Sequence, residues 1–150
     1  MNTFENAQVG SYELAVIIEK PRQAVWKAIT AETNNWWLPS FHLVGEGSVV
    51  SMHAEAGGHL IEKREGGGSM LWCTVDMVDP GKSIHFFGHK EWGGASVSQL
   101  TIELEDHPSG CRVVVSESHI GHITEKHLTS LRDGYMQLFT DGLKRYCEKG

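Results

Sequence analysis

The last 27 residues of the chain carry the feature that most limits its fold, a long amphipathic helical pattern. They read TEKHLTSLRDGYMQLFTDGLKRYCEKG, from Thr124 to Gly150. Apolar side chains recur three, four and seven positions apart, which places them on one face of a helix: Leu128, Leu131, Tyr135, Leu138, Phe139 and Tyr146. At about 1.5 Å per residue this helix is roughly 36 Å long, enough to cross a small domain. We therefore expect a helix that begins after Thr124, its N-cap, and spans the fold.

Two residues do not fit a helix that only covers a core. Gly142 lies near the middle of the apolar arc, and Arg132 lies beside Phe139 within it. A glycine inside a helix costs about 1 kcal/mol relative to alanine, so we expect a compensating role for it. Gly142 either lets another backbone pack closely or leaves room for a ligand. Arg132 either extends along the helix edge to solvent or reaches into a pocket as a cation.

Composition favours one soluble domain that spans residues 1–150. Hydrophobic residues make up 40% of the chain and charged residues 21%, both ordinary values for a globular protein. The net charge of −6 argues against nucleic-acid binding, because phosphate neutralisation needs a clustered basic surface. No apolar run is long enough for a membrane span, and the N-terminal residues lack the pattern of a signal peptide.

The number and spacing of the cysteines indicate the compartment in which the protein works. The three cysteines, Cys73, Cys111 and Cys147, are widely separated and odd in number, which is neither a disulfide framework nor a zinc motif. A reducing environment suits such a chain, so we expect a cytoplasmic protein. Within the predicted strand 70–78, Cys73 alternates with Leu71, Val75 and Met77, and this predicts an inert core cysteine on a common face.

The region before the helix predicts an antiparallel sheet. An alternating strand at 11–19 is followed by two short helical segments, which end near Ala31 and Leu38. Further strands are predicted at 48–53, 59–64, 70–78, 84–88, 96–104 and 111–118. Strands joined by short turns are antiparallel, and only the C-terminal helix is long enough to cover their apolar face. The expected fold is α+β, a curved antiparallel sheet of about six to seven strands wrapped around the long helix.

Three segments in this order resemble one known superfamily. They are VIIEKPRQAVWKAIT followed by WW, then LWCTVDMVDPGKSIHFFG, then SESHIGHITEKHLTSLRDGYMQLFTDGLKRYCEKG. Together they resemble the SRPBCC (START-like) superfamily, and within it the branch of activator of heat-shock protein 90 ATPase homologues, over 11–150. The resemblance implies a helix-grip fold with a cavity between the long helix and the sheet, where members hold lipids, polyketides, hormones or other apolar molecules. Close relatives often carry tryptophan where this chain has Tyr135, which leaves the class of ligand open.

The leading functional hypothesis is therefore the binding of a small apolar or aromatic molecule beneath the long helix, with Arg132 and Tyr135 fixing its polar end. Two alternatives remain, a co-chaperone-like module that docks on a protein partner and a cyclase- or hydrolase-type enzyme that acts on the bound molecule. The tryptophans Trp36, Trp37, Trp72 and Trp92 line either the core or a cavity mouth. The candidate ligand-binding residues are Trp37, Trp72, Phe87, His119, Arg132, Tyr135, Phe139 and Gly142.

Nine histidines are the most unusual feature of the composition. His85 and His89 stand four positions apart, and His119 and His122 stand three apart, but no dense ligand motif completes a zinc site. The chain also lacks the motifs of a serine nucleophile, a phosphate loop and a dinucleotide site. We therefore expect no metal and no cofactor, and we assign no catalytic residue.

Overall fold

The computed structural model describes residues 1–88 and 94–149. Its seven strands are β1 (Gln8–Ile18), β2 (Val49–Met52), β3 (His59–Lys63), β4 (Ser69–Asp79), β5 (Ser83–Gly88), β6 (Ser96–His107) and β7 (Gly110–Gly121). They form one antiparallel sheet in the order β1-β7-β6-β5-β4-β3-β2. Two short helices follow the first strand, α1 (Arg22–Ala31) and α2 (Thr33–Trp36), with a 3-10 turn at Pro39–Phe41. The predicted α+β helix-grip architecture is confirmed.

The inner face of the sheet is fixed by alternation of buried and more exposed residues along strands such as β1, β5 and β6. Leu14, Val16 and Ile18 of β1 are buried, as their spacing predicts. They face the same interior as the buried side chains of β5, β6, β7 and the long helix: Ile84, Phe86, Leu100, Ile102, Leu104, Val113, Val115, Leu138, Phe139 and Leu143. This core holds the helix against the sheet.

Strand β4 departs from the predicted alternation at two β-bulges. The register against β3 skips Trp72, and the register against β5 skips Asp76. Each extra residue reverses the face of the residues beyond it. Leu71 and Met77, predicted to face the core with Cys73, are therefore 37% and 48% exposed. The first bulge also sends Trp72 toward the interior, where its indole N–H reaches a side chain of β3.

The long helix runs from Glu125 to Lys149 in three consecutive parts. These are α3 (Glu125–Gln137), a π-helical segment (Leu138–Lys144) and α4 (Arg145–Lys149). Thr124 is the N-cap, as predicted, and its hydroxyl accepts a hydrogen bond from the His127 N–H at 3.2 Å. In the described ranges, no helix is long and apolar enough to cross a membrane.

The π-helical segment is where the helix packs most tightly. It buries Leu138, Phe139, Gly142 and Leu143, whereas α3 contains no buried residue. An added Cβ on Gly142 would lie 2.5 Å from the carbonyl oxygen of Trp36. Close packing of another backbone is therefore the role of this glycine, and the wider π turn accommodates it.

Candidate functional site

A cavity of about 380 Å³ opens between α3 and the segment that follows α2. One face of α3 supplies its floor, since His127, Leu131, Gly134 and Tyr135 recur at three- and four-residue spacing. Among the described residues, those that line it are Trp37, Ser40, Phe41, Leu43, Trp72, His127, Ser130, Leu131, Gly134, Tyr135 and Leu138. Its volume lies in the range of about 300–1,000 Å³ typical of small-molecule sites. We call this space the main cavity.

The aromatic wall of the main cavity is built so that it presents carbon atoms. The rings of Trp37 and Trp72 meet edge to face with centroids 5.2 Å apart. Trp37 donates its indole N–H to the Phe41 carbonyl at 3.0 Å, and Trp72 donates to Glu62 Oε1 at 3.1 Å. Because both indole donors are engaged within the protein, the wall is apolar toward a ligand.

Glu62 is a fully buried carboxylate that holds this wall in place. It accepts backbone hydrogen bonds from Leu43 at 3.1 Å and Val44 at 3.0 Å, and a third from the Ser48 hydroxyl at 2.7 Å. Burial by itself raises the pKa of Glu62, but these bonds and the one from Trp72 outweigh it, so the pKa is lowered. Glu62 therefore stays ionised and joins the segment around Leu43 to Trp72 across the cavity rim.

A second group of polar side chains lies deeper in the interior. Glu117 and His119 on the inner face of β7 are both buried, and Glu117 Oε1 lies 3.0 Å from His119 Nε2. Glu117 also accepts hydrogen bonds from the Tyr12 hydroxyl at 2.5 Å and the Ser98 hydroxyl at 3.0 Å. Three strands thus contribute to one buried polar cluster, because Tyr12 and Glu117 are direct partners of β1 and β7.

This polar cluster borders a second, much smaller space of about 30 Å³, which we call the inner cavity. Its lining is Leu60, Trp72, Cys73, Gly88, Ser98, Leu100, Glu117, His119, Leu131 and Tyr135. Trp72, Leu131 and Tyr135 line both spaces, so the two cavities are adjacent. Burial, Glu117 and Asp76 raise the pKa of the Cys73 thiol, which keeps it protonated and a poor nucleophile.

Four of the eight candidate ligand-binding residues lie at these cavities. Trp37 lines the main cavity, His119 lines the inner one, and Trp72 and Tyr135 line both. No group of three or more metal-ligating side chains occurs within residues 1–88 and 94–149. His89 and Trp92 lie outside the described residues.

The other four candidates lie away from both cavities, each for a physical reason. Arg132 points outward on α3, with its side chain 45% exposed and 3.6 Å from Asp133. Phe139 packs on Trp36 with ring centroids 5.8 Å apart, and Gly142 meets the carbonyl of that tryptophan. Phe87 pairs with Gln99 on the outer face of the sheet, since its neighbours Phe86 and Gly88 are both buried on the inner face.

Sequence reasoning missed the residues that complete the site. Phe41 and Leu43 line the main cavity but belong to no periodic pattern that predicts it. Glu62 and Glu117 had a visible signal, because each occupies an inward position in its strand, two residues after buried Leu60 and Val115. A carboxylate at an inward position requires hydrogen-bond partners, so each position predicts a buried polar cluster.

Comparisons with known proteins agree with the architecture. The family model for "Activator of Hsp90 ATPase homolog 1-like protein" matches residues 19–148. A protein of known structure from Rhizobium leguminosarum is 17% identical, with a TM-score of 0.73, and the match covers 99% of this chain and 100% of that one. Protein MLL2253 from Mesorhizobium loti is 19% identical, with a TM-score of 0.68 and coverage of 91% and 95%.

More distant chains share the same arrangement of helix and sheet. Ara h 8.0201 is 12% identical, with a TM-score of 0.70, and the match covers 95% of this chain and 100% of that one. These structural likenesses show the fold alone, and a search of curated proteins finds no match. The family match spans most of the sequence, so the chain belongs to the family of activator of Hsp90 ATPase homolog 1-like proteins.

Proposed function

We propose that this protein binds a small apolar or aromatic molecule in the main cavity, between α3 and the wall formed by Trp37, Phe41 and Trp72. The observation that carries the proposal is the cavity itself, about 380 Å³ with aromatic and aliphatic side chains along most of its lining. Folds of this class commonly bind hydrophobic ligands, which supports the same conclusion.

The energetics favour an apolar occupant. Burial of apolar surface is worth about 25 cal/mol per Å², so a ligand that covers roughly 100 Å² of such wall gains about 2.5 kcal/mol from the wall alone, before the costs of association. The indole N–H groups of Trp37 and Trp72 are hydrogen-bonded within the protein, so their rings offer a ligand mainly contact area. Aromatic ligands additionally stack against rings at distances like the 5.2 Å between these two tryptophans.

The low burial of α3 supports the same proposal. None of its 13 residues is buried, although Leu131 and Tyr135 face the interior side of the helix. A helix of this length depends on packing of its apolar face for stability. A ligand in the main cavity adds to the packing that β1 already supplies beside Leu128.

Titration with the neutral aromatic probe N-phenyl-1-naphthylamine tests the proposal, with tryptophan fluorescence as the signal because Trp37 and Trp72 line the cavity. We expect a saturable change in the wild type. The Gly134→Leu variant fills the cavity, since an added Cβ there lies in ordinary contact 3.6 Å from Phe41 and the remaining atoms extend into the space. We expect its affinity to fall about tenfold or more, equivalent to about 1.4 kcal/mol.

The matched control is Arg132→Leu, the same new side chain on the exposed side of the same helix. It should bind the probe as the wild type does. Absence of saturable binding in the wild type, or equal affinities for the wild type and Gly134→Leu, would overturn the proposal.

A further inference from the structure

The buried cluster around Glu117 points to a second recognition element at the inner end of the site. We propose that Glu117, with His119 beside it, forms a polar subsite that accepts a hydrogen bond from a neutral hydroxyl group on the ligand, a phenol or an alcohol. The inference rests on the proposed function, because the apolar body of that ligand occupies the main cavity.

The geometry leaves Glu117 able to accept one more hydrogen bond. A carboxylate has about four acceptor positions on its two oxygens. Tyr12 donates to Oε1 and Ser98 to Oε2, which leaves at most two positions, and His119 Nε2 lies beside one of them, 3.0 Å from Oε1. Glu117 lines the inner cavity, so a remaining acceptor position is available on that side.

The size of the inner cavity limits what can enter it. Its volume of about 30 Å³ is room for a group of about the size of water and is about a tenth of the volume of the smallest small-molecule sites. A single hydroxyl group fits there, whereas a ring does not. Trp72, Leu131 and Tyr135 border both cavities, so only these side chains lie between them among the described residues, and a substituent that passes between them from a ring in the main cavity enters the inner one.

Charge further narrows the ligand class. Among the described residues that line the two cavities there is no lysine or arginine, and Arg132, the expected cation, lies on the outer side of α3. A ligand carboxylate placed beside Glu117 would meet a like charge in a buried site, where repulsion is strong. An ammonium group brings three donors, more than the two acceptor positions that Glu117 has left at most, so part of its charge would be buried without a partner. A neutral hydroxyl, with one donor, is the match.

Three probes with the same ring system test this inference: 2-naphthol, 2-methylnaphthalene and 2-naphthoate. Their affinities are measured by displacement of N-phenyl-1-naphthylamine. For the wild type we expect 2-naphthol to bind about tenfold more tightly than 2-methylnaphthalene, because a hydrogen bond to a charged group is at stake. We expect 2-naphthoate to bind the most weakly.

The Glu117→Gln variant should bind 2-methylnaphthalene as the wild type does, and this binding also shows that its cavity is intact. Its preference for 2-naphthol should shrink several-fold, and 2-naphthoate should gain affinity because the like charge is gone. Loss of a residue with a structural role alone would not raise the affinity for 2-naphthoate. The matched control, Glu103→Gln, removes an exposed carboxylate on β6 and should leave all three affinities unchanged.

The two proposals fail in different ways. If none of the probes binds saturably, both are overturned. If 2-methylnaphthalene binds but 2-naphthol binds no more tightly, or if 2-naphthoate binds as tightly as 2-naphthol, the polar subsite is overturned and the apolar cavity stands. Equal selectivity in the wild type and Glu117→Gln also overturns the role of Glu117.

Discussion

The two halves of the long helix differ although both carry the same apolar periodicity. The C-terminal half buries Leu138, Phe139, Gly142 and Leu143 against the rest of the fold. The N-terminal half, α3, has no fully buried residue. Its Tyr135 and Met136 are half-buried against the core, and its inward side chains lie along a cavity. One amphipathic stripe therefore packs on the core at one end and lines the main cavity at the other.

A glycine in each half shows the difference at atomic scale. A Cβ on Gly142 would meet the Trp36 carbonyl oxygen at 2.5 Å, whereas a Cβ on Gly134 would meet only Phe41, at 3.6 Å. The first distance is too short for any side chain, and the second is ordinary van der Waals contact. The same residue type thus marks tight backbone packing in one half and open space in the other.

The largest effect is expected from Gly142→Ala. The new methyl group forces the helix away from Trp36, and overpacking of this kind costs about 1–3 kcal/mol. We expect a loss near the upper end, about 3 kcal/mol in the free energy of unfolding, because the opposing atom is backbone and cannot rotate away. Urea denaturation followed by circular dichroism measures it.

The matched control is Gly134→Ala in the other half of the same helix. Here the methyl group has room, and alanine improves helix propensity by up to about 1 kcal/mol. The two substitutions should therefore change stability in opposite directions. Equal effects of the two variants would contradict the contrast between the halves.

A smaller effect is expected at the rim that faces α3. Glu62→Gln replaces a charged acceptor of four hydrogen bonds with an amide, and loss of one charge-assisted bond costs about 1.5–3 kcal/mol. We expect about 2 kcal/mol of destabilisation at pH 7. Unfolding in urea, repeated across a pH series, gives the value.

The pH dependence separates this role from simple packing. The pKa of Glu62 is lowered in the folded protein, so its stabilising effect is fully present above the ordinary glutamate pKa of about 4.3 and is lost as the pH falls through the lowered value. The wild type should therefore lose its advantage over Glu62→Gln in acid. A difference between the two proteins that stays constant down to the lowest pH would show that the carboxylate charge is not what holds the rim.

Much of the fold follows from local periodicity, which is why it could be predicted. Alternation in β1 and helical spacing from Leu128 to Tyr146 each identify the buried face without further information. The bulges of β4 could not be predicted in this way, because one extra residue leaves no mark in composition. The bulges turn Trp72 toward the interior and Met77 toward solvent. The position of Trp72 in the cavity wall therefore depends on a bulge that periodicity does not show.

The candidate site was harder to predict because it depends on contacts between distant segments. The position of Gly142 in the apolar arc predicted a special role for it. Its neighbour Trp36 could not be predicted, because it is far away in sequence and only the folded chain brings the two together. Trp37, Trp72 and Tyr135 were predicted from side-chain type and do line the main cavity. Arg132 was predicted to bind the ligand because it lies within the apolar arc of the long helix. The structure exposes its side chain to solvent at the edge of that arc.

Hydrogen–deuterium exchange with and without saturating N-phenyl-1-naphthylamine tests the central claim most directly. If α3 forms the wall of a ligand cavity and the π-helical segment packs on the core, the probe should slow exchange in Glu125–Gln137 and leave Leu138–Lys144, already protected, unchanged. Peptides that contain Trp37 and Trp72 should gain protection with α3. Protection of the π-helical segment without protection of α3, or no change in either half, would contradict the account.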